Sequence, residues 1–193
     1  LRSARERWRP AELRFAVGDG LLSDPGWGHR SWLDTTTASI CTMKSDSSRW
    51  KSLGSTSFPW EAEALTFLRE RLGDVDPNRV WCLFEFVTGE GTISEVDALV
   101  LTAKGFFLVE IKSRPGVLTG DVGTWTWKTP SGHKKSDDNP LILANRKAKR
   151  LADLLRAQRA MRGYDLPFLQ PVIFLSAPDI DVQLDPAARH HVY

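Results

Sequence analysis

Cysteine, histidine and long apolar runs are all scarce in this chain of 193 residues, and each scarcity removes a class of protein. The two cysteines, Cys41 and Cys82, stand far apart with no CxxC pair, so neither a disulfide framework nor a zinc site is indicated. His29, His133, His190 and His191 are scattered and read as polar surface residues rather than ligands. No apolar run approaches the roughly 18 residues of a membrane span, and no secretory signal pattern stands near the start. No membrane partner and a cytoplasmic location are therefore expected. Gly18-Asp19-Gly20 is too short for a phosphate loop, because nothing like GxxxxGKS/T follows it. The chain starts at Leu1 and stops at Tyr193 without a tail, which reads as a piece of something longer.

What is present is an ordinary globular composition. Hydrophobic residues make up 41% and charged residues 26%, enough for one domain with a real core and an appended extension. The net charge of +2 says little, but its distribution says more. From Lys134 to Arg162 nine Lys or Arg stand against three Asp. Such a stretch favours a nucleic-acid partner, with the solvated face of a helix as the competing reading.

Residues 1–58 hold Trp8, Trp27, Trp32 and Trp50 without helical or strand period. They are expected to form an extension that packs its tryptophans onto the main domain. Regular pattern begins at Pro59, a good first helical residue, and runs to about Leu72 before Gly73. Leu65, Leu68 and Leu72 form the inward stripe, and one turn back from Leu65 lies Glu61 on the same stripe. Glu63 falls off it. Strands are expected over 80–88, 93–101 and 106–113, followed by a twisted ribbon over 117–121 and 124–128. Asn139 then caps a helix opened by Pro140 and reaching about Arg162. Its inward face is Ala144, Ala148, Leu151 and Leu155, leaving Arg146, Lys149, Arg150 and Arg156 mostly outside. Last comes Pro171 to Leu175, wholly apolar, the mark of a buried parallel strand. The fold class is α/β.

Charge interrupts two of these apolar runs where a core should be. Ile93-Ser94-Glu95-Val96-Asp97 leads the first, and Val109-Glu110-Ile111-Lys112 ends the second. The turn between them ends in Gly105, a common hairpin connection. If Leu101 pairs with Phe106, Asp97 stands across from Glu110 and Glu95 across from Lys112. Alternation puts Ile93, Glu95, Asp97, Leu99 and Leu101 on one face and Val96, Ala98 and Val100 on the other. Neither face looks solvated. Buried carboxylates cost several kcal/mol unless they are paired or bind a metal. Two of them with Cβ atoms roughly 5 Å apart suit one hard divalent cation such as Mg²⁺. Lys112, pointing the same way, would hold an attacking water or offset negative charge in phosphodiester hydrolysis. A cross-strand charge ladder, Asp97 near Lys104 or Glu95 near Lys112, is the plainer alternative.

In this order, the residues resemble the nuclease-related domain, NERD, of the PD-(D/E)XK nuclease superfamily. The likeness rests on Glu61 opening the first helix, Glu95-Val96-Asp97, Gly105 through Lys112, Gly116 with Gly120, the Trp125/Trp127 ribbon and Asn139-Pro140. It implies a restriction-endonuclease-like mixed sheet with an αβββαβ core over residues 59–176. Residues 1–58 would be the Trp-rich extension and 177–193 a linker or the start of a following region. It also implies that Asp97 and Glu110 bind the metal, that Lys112 assists the nucleophile and that Glu61 supports a metal. Trp60 stands where the family usually has Gly, and Leu141 to Leu143 where a Gln is frequent. The extension and the sequence of the second helix look like the N-terminal module of the Ser/Thr kinases of phage growth limitation, BREX-type, defence. No lysine-strand, HRD or DFG kinase signature occurs here, so a kinase region would belong to the rest of such a polypeptide.

Two functions follow as expectations. One is a Mg²⁺- or Mn²⁺-dependent DNA nuclease with Asp97, Glu110 and the Ile111 carbonyl as ligands. In it Lys112 poises water, Glu61 or Glu95 is the auxiliary acid, and Arg146, Lys149, Arg150 and Arg156 hold the phosphate backbone. The other is a non-catalytic sensing or docking module that binds DNA or another phage-defence protein and reports to a kinase.

Overall fold

The computed structural model of the chain describes residues 42–193. Trp8, Trp27 and Trp32, and with them most of the expected extension, lie outside the described residues.

The described chain builds two sheets and two long helices. Strands β1 (Trp50–Ser52), β2 (Arg79–Val87), β3 (Ile93–Thr102), β4 (Gly105–Lys112) and β8 (Leu169–Leu175) form the first sheet in the order β1-β2-β3-β4-β8. Strands β5 (Gly116–Gly120), β6 (Thr124–Lys128), β7 (Lys134–Asp138) and β9 (Ile180–Leu184) form the second, in the order β7-β6-β5-β9. Helix α1 spans Pro59–Arg71 and helix α2 spans Pro140–Arg156. The strand β8 pairs parallel to β4, as its apolar run after a helix predicts.

Each helix covers one face of the first sheet. Ala64, Leu65, Leu68 and Leu72 of the α1 segment pack with Val80, Cys82, Ala98, Val100, Val109 and Ile111. On the other face Ala144, Ala148, Leu151 and Ala152 of α2 pack with Leu99, Leu108, Ile173 and Leu175, and this core continues to Leu118, Trp125 and Trp127 of the second sheet. Small alanines let α2 lie close against the strands, and burying the leucines stabilises each by about 1.5–3 kcal/mol. Asn139 fixes where α2 begins. Its side chain accepts the Leu141 N–H at 2.9 Å and donates to the Val122 carbonyl at 3.1 Å, tying the helix to the β5–β6 turn.

Several expectations need correction. Helix α2 ends at Arg156 rather than near Arg162, and a separate 3-10 turn follows over Arg159–Met161. Strands β1, β7 and β9 are absent from the sequence reading, and β7 could not be found from apolar period because all five of its residues are exposed. β1 draws residues 50–52 into the first sheet, and β9 draws residues 180–184 into the second, so pairing extends beyond 59–176 at both ends. The alternation of faces also fails. Val96 packs with Phe86 and Leu99 on the α2 side, not with Ala98 and Val100 on the α1 side. The cause lies in the neighbouring strand, where Leu83 has φ of 55°. A left-handed leucine costs on the order of 1–2 kcal/mol. It interrupts the β2–β3 ladder between Cys82↔Ala98 and Phe84↔Val96. Before it Val80 and Cys82 face α1, and after it Phe84 and Phe86 face α2.

Candidate active site

The β3–β4 hairpin has the predicted register, Leu101↔Phe106 down to Ala98↔Val109. There the ladder stops. Beyond that rung β3 continues only with β2, whereas β4 stays paired with β8 as far as Lys112↔Leu175. The two strands diverge, and a gap opens where an ordinary sheet would continue. Glu95 therefore does not face Lys112. It is exposed and pairs across β2 with Glu85, so that expected juxtaposition is overturned.

Asp97 fills the gap. Its Oδ2 accepts the Ile111 N–H at 2.7 Å, taking the place of the main-chain acceptor that β3 no longer supplies. In an extended strand a residue's N–H and C=O point to the same neighbour, so the Ile111 carbonyl opens to the same side as Asp97. Burial, the nearby Glu110 charge and, more weakly, Glu61 push the Asp97 carboxyl up to about 6, against the opposing pull of the Ile111 N–H and Lys112. Glu61 thus lies close enough to be felt electrostatically, and it borders the same cavity as Asp97.

Glu110 is only 5% exposed and carries two ammonium partners. Lys112 Nζ lies 3.5 Å from Oε2, as the shared face predicts. Lys147 Nζ, from α2, makes a short ion pair with Oε1, with its side chain only 14% exposed. Lys147 is the functional candidate that the sequence reading missed. The signal was there: it lies three residues after Ala144 and four before Leu151, on the inward stripe rather than the solvated face.

Two cavities flank the acids. One, of about 640 Å³, is bordered by the 53–58 loop, Glu61, Leu83, Glu85, Glu95 and Asp97. The other, of about 560 Å³, lies on the α2 side and is bordered by Thr92, Ser94, Leu143, Arg146, Lys147 and Arg150, with Glu85 and Glu95 as its shared wall. The expected basic face is divided. Arg146 and Arg150 line this cleft, and Arg150 reaches Glu90 at 3.7 Å. Lys149 and Arg156 do not line it, and Arg156 pairs with Asp153 at 3.0 Å.

Oxygen donors suit a hard divalent cation. No group of three His, Cys, Asp or Glu side chains converges among the described residues. A cation held here would have two carboxylates, Asp97 and Glu110, and the Ile111 carbonyl as its protein donors, a set that suits an ion keeping part of its hydration.

A helix-flanked mixed sheet with acids and a lysine at the point where two strands part is compatible with the restriction-endonuclease-like class. The profile of the nuclease-related domain, NERD, matches residues 56–176, and the chain belongs to that family. It is 41% identical over 114 residues to a Streptomyces coelicolor protein named "Probable kinase PglW". That match covers 59% of this chain and 7% of the relative. No solved structure matches the chain. No helix among the described residues is long and apolar enough to cross a membrane.

Proposed function

We propose that this domain hydrolyses DNA phosphodiesters with Mg²⁺ or Mn²⁺ held by Asp97, Glu110 and the Ile111 carbonyl. A bound divalent ion would supply Lewis acidity and an activated water. The observation that carries the reading is the placement of a half-buried and a buried carboxylate on strands that diverge at Ala98↔Val109. Lys112, two residues beyond Glu110 and about one third exposed, would hold the water and offset charge on the phosphate. Glu61 would be the auxiliary acid, since it borders the Asp97 cavity from α1. Glu95 would serve through solvent from the rim. Arg146 and Arg150 would grip the backbone along the α2 cleft, with Lys149 and Arg156 adding a more distant field. Cleavage of supercoiled and linear DNA, with and without EDTA, by wild type and Asp97→Ala tests it. Cleavage that survives both EDTA and Asp97→Ala would sink the reading.

One observation supports a second reading. Glu110 is already neutralised by Lys112 and Lys147, which stabilises the fold without a metal and suits a weakly catalytic or inactive DNA-sensing module. DNA binding that is independent of metal and untouched by Asp97→Ala favours it.

The wider setting is also proposed. The similarity to a protein named as a probable kinase, over a small share of that protein, supports an attached Ser/Thr kinase region in a cytoplasmic, BREX-type or phage-growth-limitation defence protein. Other phage-defence proteins would then be its partners.

A further inference from the structure

We propose that the aromatic pair Phe58–Trp60, at the start of α1, is a stacking platform for an unpaired base, so that the site takes single-stranded nucleic acid rather than continuous duplex. This rests on the phosphodiesterase reading, and it adds the substrate class.

Phe58 and Trp60 stack with ring centroids 5.0 Å apart and planes at 24°, yet they remain 52% and 51% exposed. Two large rings held face to face at the surface, with half of their area in water, forgo burial that the core clusters give other aromatics. Capping is forgone as well. Phe58 occupies the N-cap of a 13-residue helix and makes no side-chain bond there, although Thr56 and Ser57 immediately precede it. Phe58 borders the cavity that Asp97 and Glu61 also line, so one ring of the platform shares a space with two of the proposed acids. At about 640 Å³ that space is in the range of small-ligand pockets and has room for a base.

The wall beneath the platform is anchored. Leu53 N–H donates to the Cys82 carbonyl at 2.9 Å, and a Cβ on Gly54 would stand 2.5 Å from the Leu83 carbonyl. Chemistry divides the two cavities in the way a single strand needs. The α2 cleft offers Arg146 and Arg150 to flanking phosphates, whereas the Phe58 cavity offers rings to a base and, through a cation at Asp97, a place for the scissile phosphate. A strand crossing the Glu85–Glu95 wall would lay flanking phosphates along the α2 cleft, bring the next one to Asp97 and turn an unstacked base onto Phe58.

The test uses the full 193-residue chain and fluorescence anisotropy with labelled (dT)12, (rU)12 and a hairpin duplex, in EDTA and in Mg²⁺. The expected result is tighter binding of the single strands than of the duplex. Trp60→Ala and Phe58→Ala should each weaken single-strand affinity about tenfold, with Trp60→Tyr restoring it and duplex affinity unchanged. The (dT)12 and (rU)12 arms separate DNA from RNA as the source. Equal affinity for strand and duplex, or variants that fold with wild-type melting temperature and bind (dT)12 and (rU)12 as wild type does, would overturn the platform. If those variants also keep metal-dependent cleavage, the phosphodiesterase reading survives alone. Stacking-dependent binding without cleavage by wild type would instead leave the platform standing and remove that reading.

Discussion

Asp97 Oδ2 accepts the Ile111 N–H at 2.7 Å, so one carboxylate does the work of a missing strand. The same contact ties a half-buried carboxylate to the sheet, near the charge of Glu110. Holding a charge there is costly.

Asp97 has its carboxyl raised from the ordinary 3.8 to about 6, chiefly by burial. The folded chain therefore keeps a proton that the unfolded chain loses near pH 4. Stability from this group is fully present below about pH 4, declines as pH rises to about 6, and is absent above. The difference is on the order of 3 kcal/mol. Asp97→Asn keeps an acceptor for Ile111 and carries no charge, so it should raise stability at pH 7 and change little at pH 4. Urea denaturation at both pH values checks this, and a destabilised Asn variant at pH 7 contradicts it.

Metal binding should reverse that preference. Mn²⁺ or Mg²⁺ at a hundredfold its Kd would stabilise wild type by about 2.7 kcal/mol, with no such effect in Asp97→Asn or Glu110→Gln. Because the proton on Asp97 must leave first, affinity should rise between pH 5 and pH 7. Calorimetric titration with MnCl₂ across that range gives the answer.

Lys147→Met removes one of two partners from a carboxylate that is almost inaccessible to water. A loss of about 3 kcal/mol is expected. Adding Glu110→Gln should restore most of it, because the charge left with only the longer Lys112 contact then disappears. A double variant as unstable as the sum of its two singles would show that the ion pair matters little.

On the α2 surface the cations are not equivalent. Arg146→Ala and Arg150→Ala should each lower nucleic-acid affinity and reduce the slope of log K against log salt by about 1. Lys149→Ala and Arg156→Ala should have smaller effects, since neither lines the cleft. Anisotropy at several salt concentrations ranks the four.

Much of the fold was legible because apolar period is local. The β3–β4 hairpin, both helix starts, the parallel β8 and the Ala144, Ala148, Leu151 stripe follow from spacing and turn residues alone. β7 was not legible, since an exposed polar strand has no period and owes its pairing to β6. Lys147 is not legible in the same way, because lysine on a basic helix reads as solvated until the opposing Glu110 is in view.

The amino-acid sequence alone therefore determined both helix starts, the β3–β4 hairpin and that Glu110 and Lys112 share a face of β4, because side-chain direction repeats over two or a few residues. Only the tertiary structure decided that β3 leaves β4 after Ala98, that left-handed Leu83 swaps the faces of β2, and that Lys147 meets Glu110. Those outcomes depend on which distant backbone supplies the next hydrogen bond and which helix covers the gap, and no local pattern encodes either.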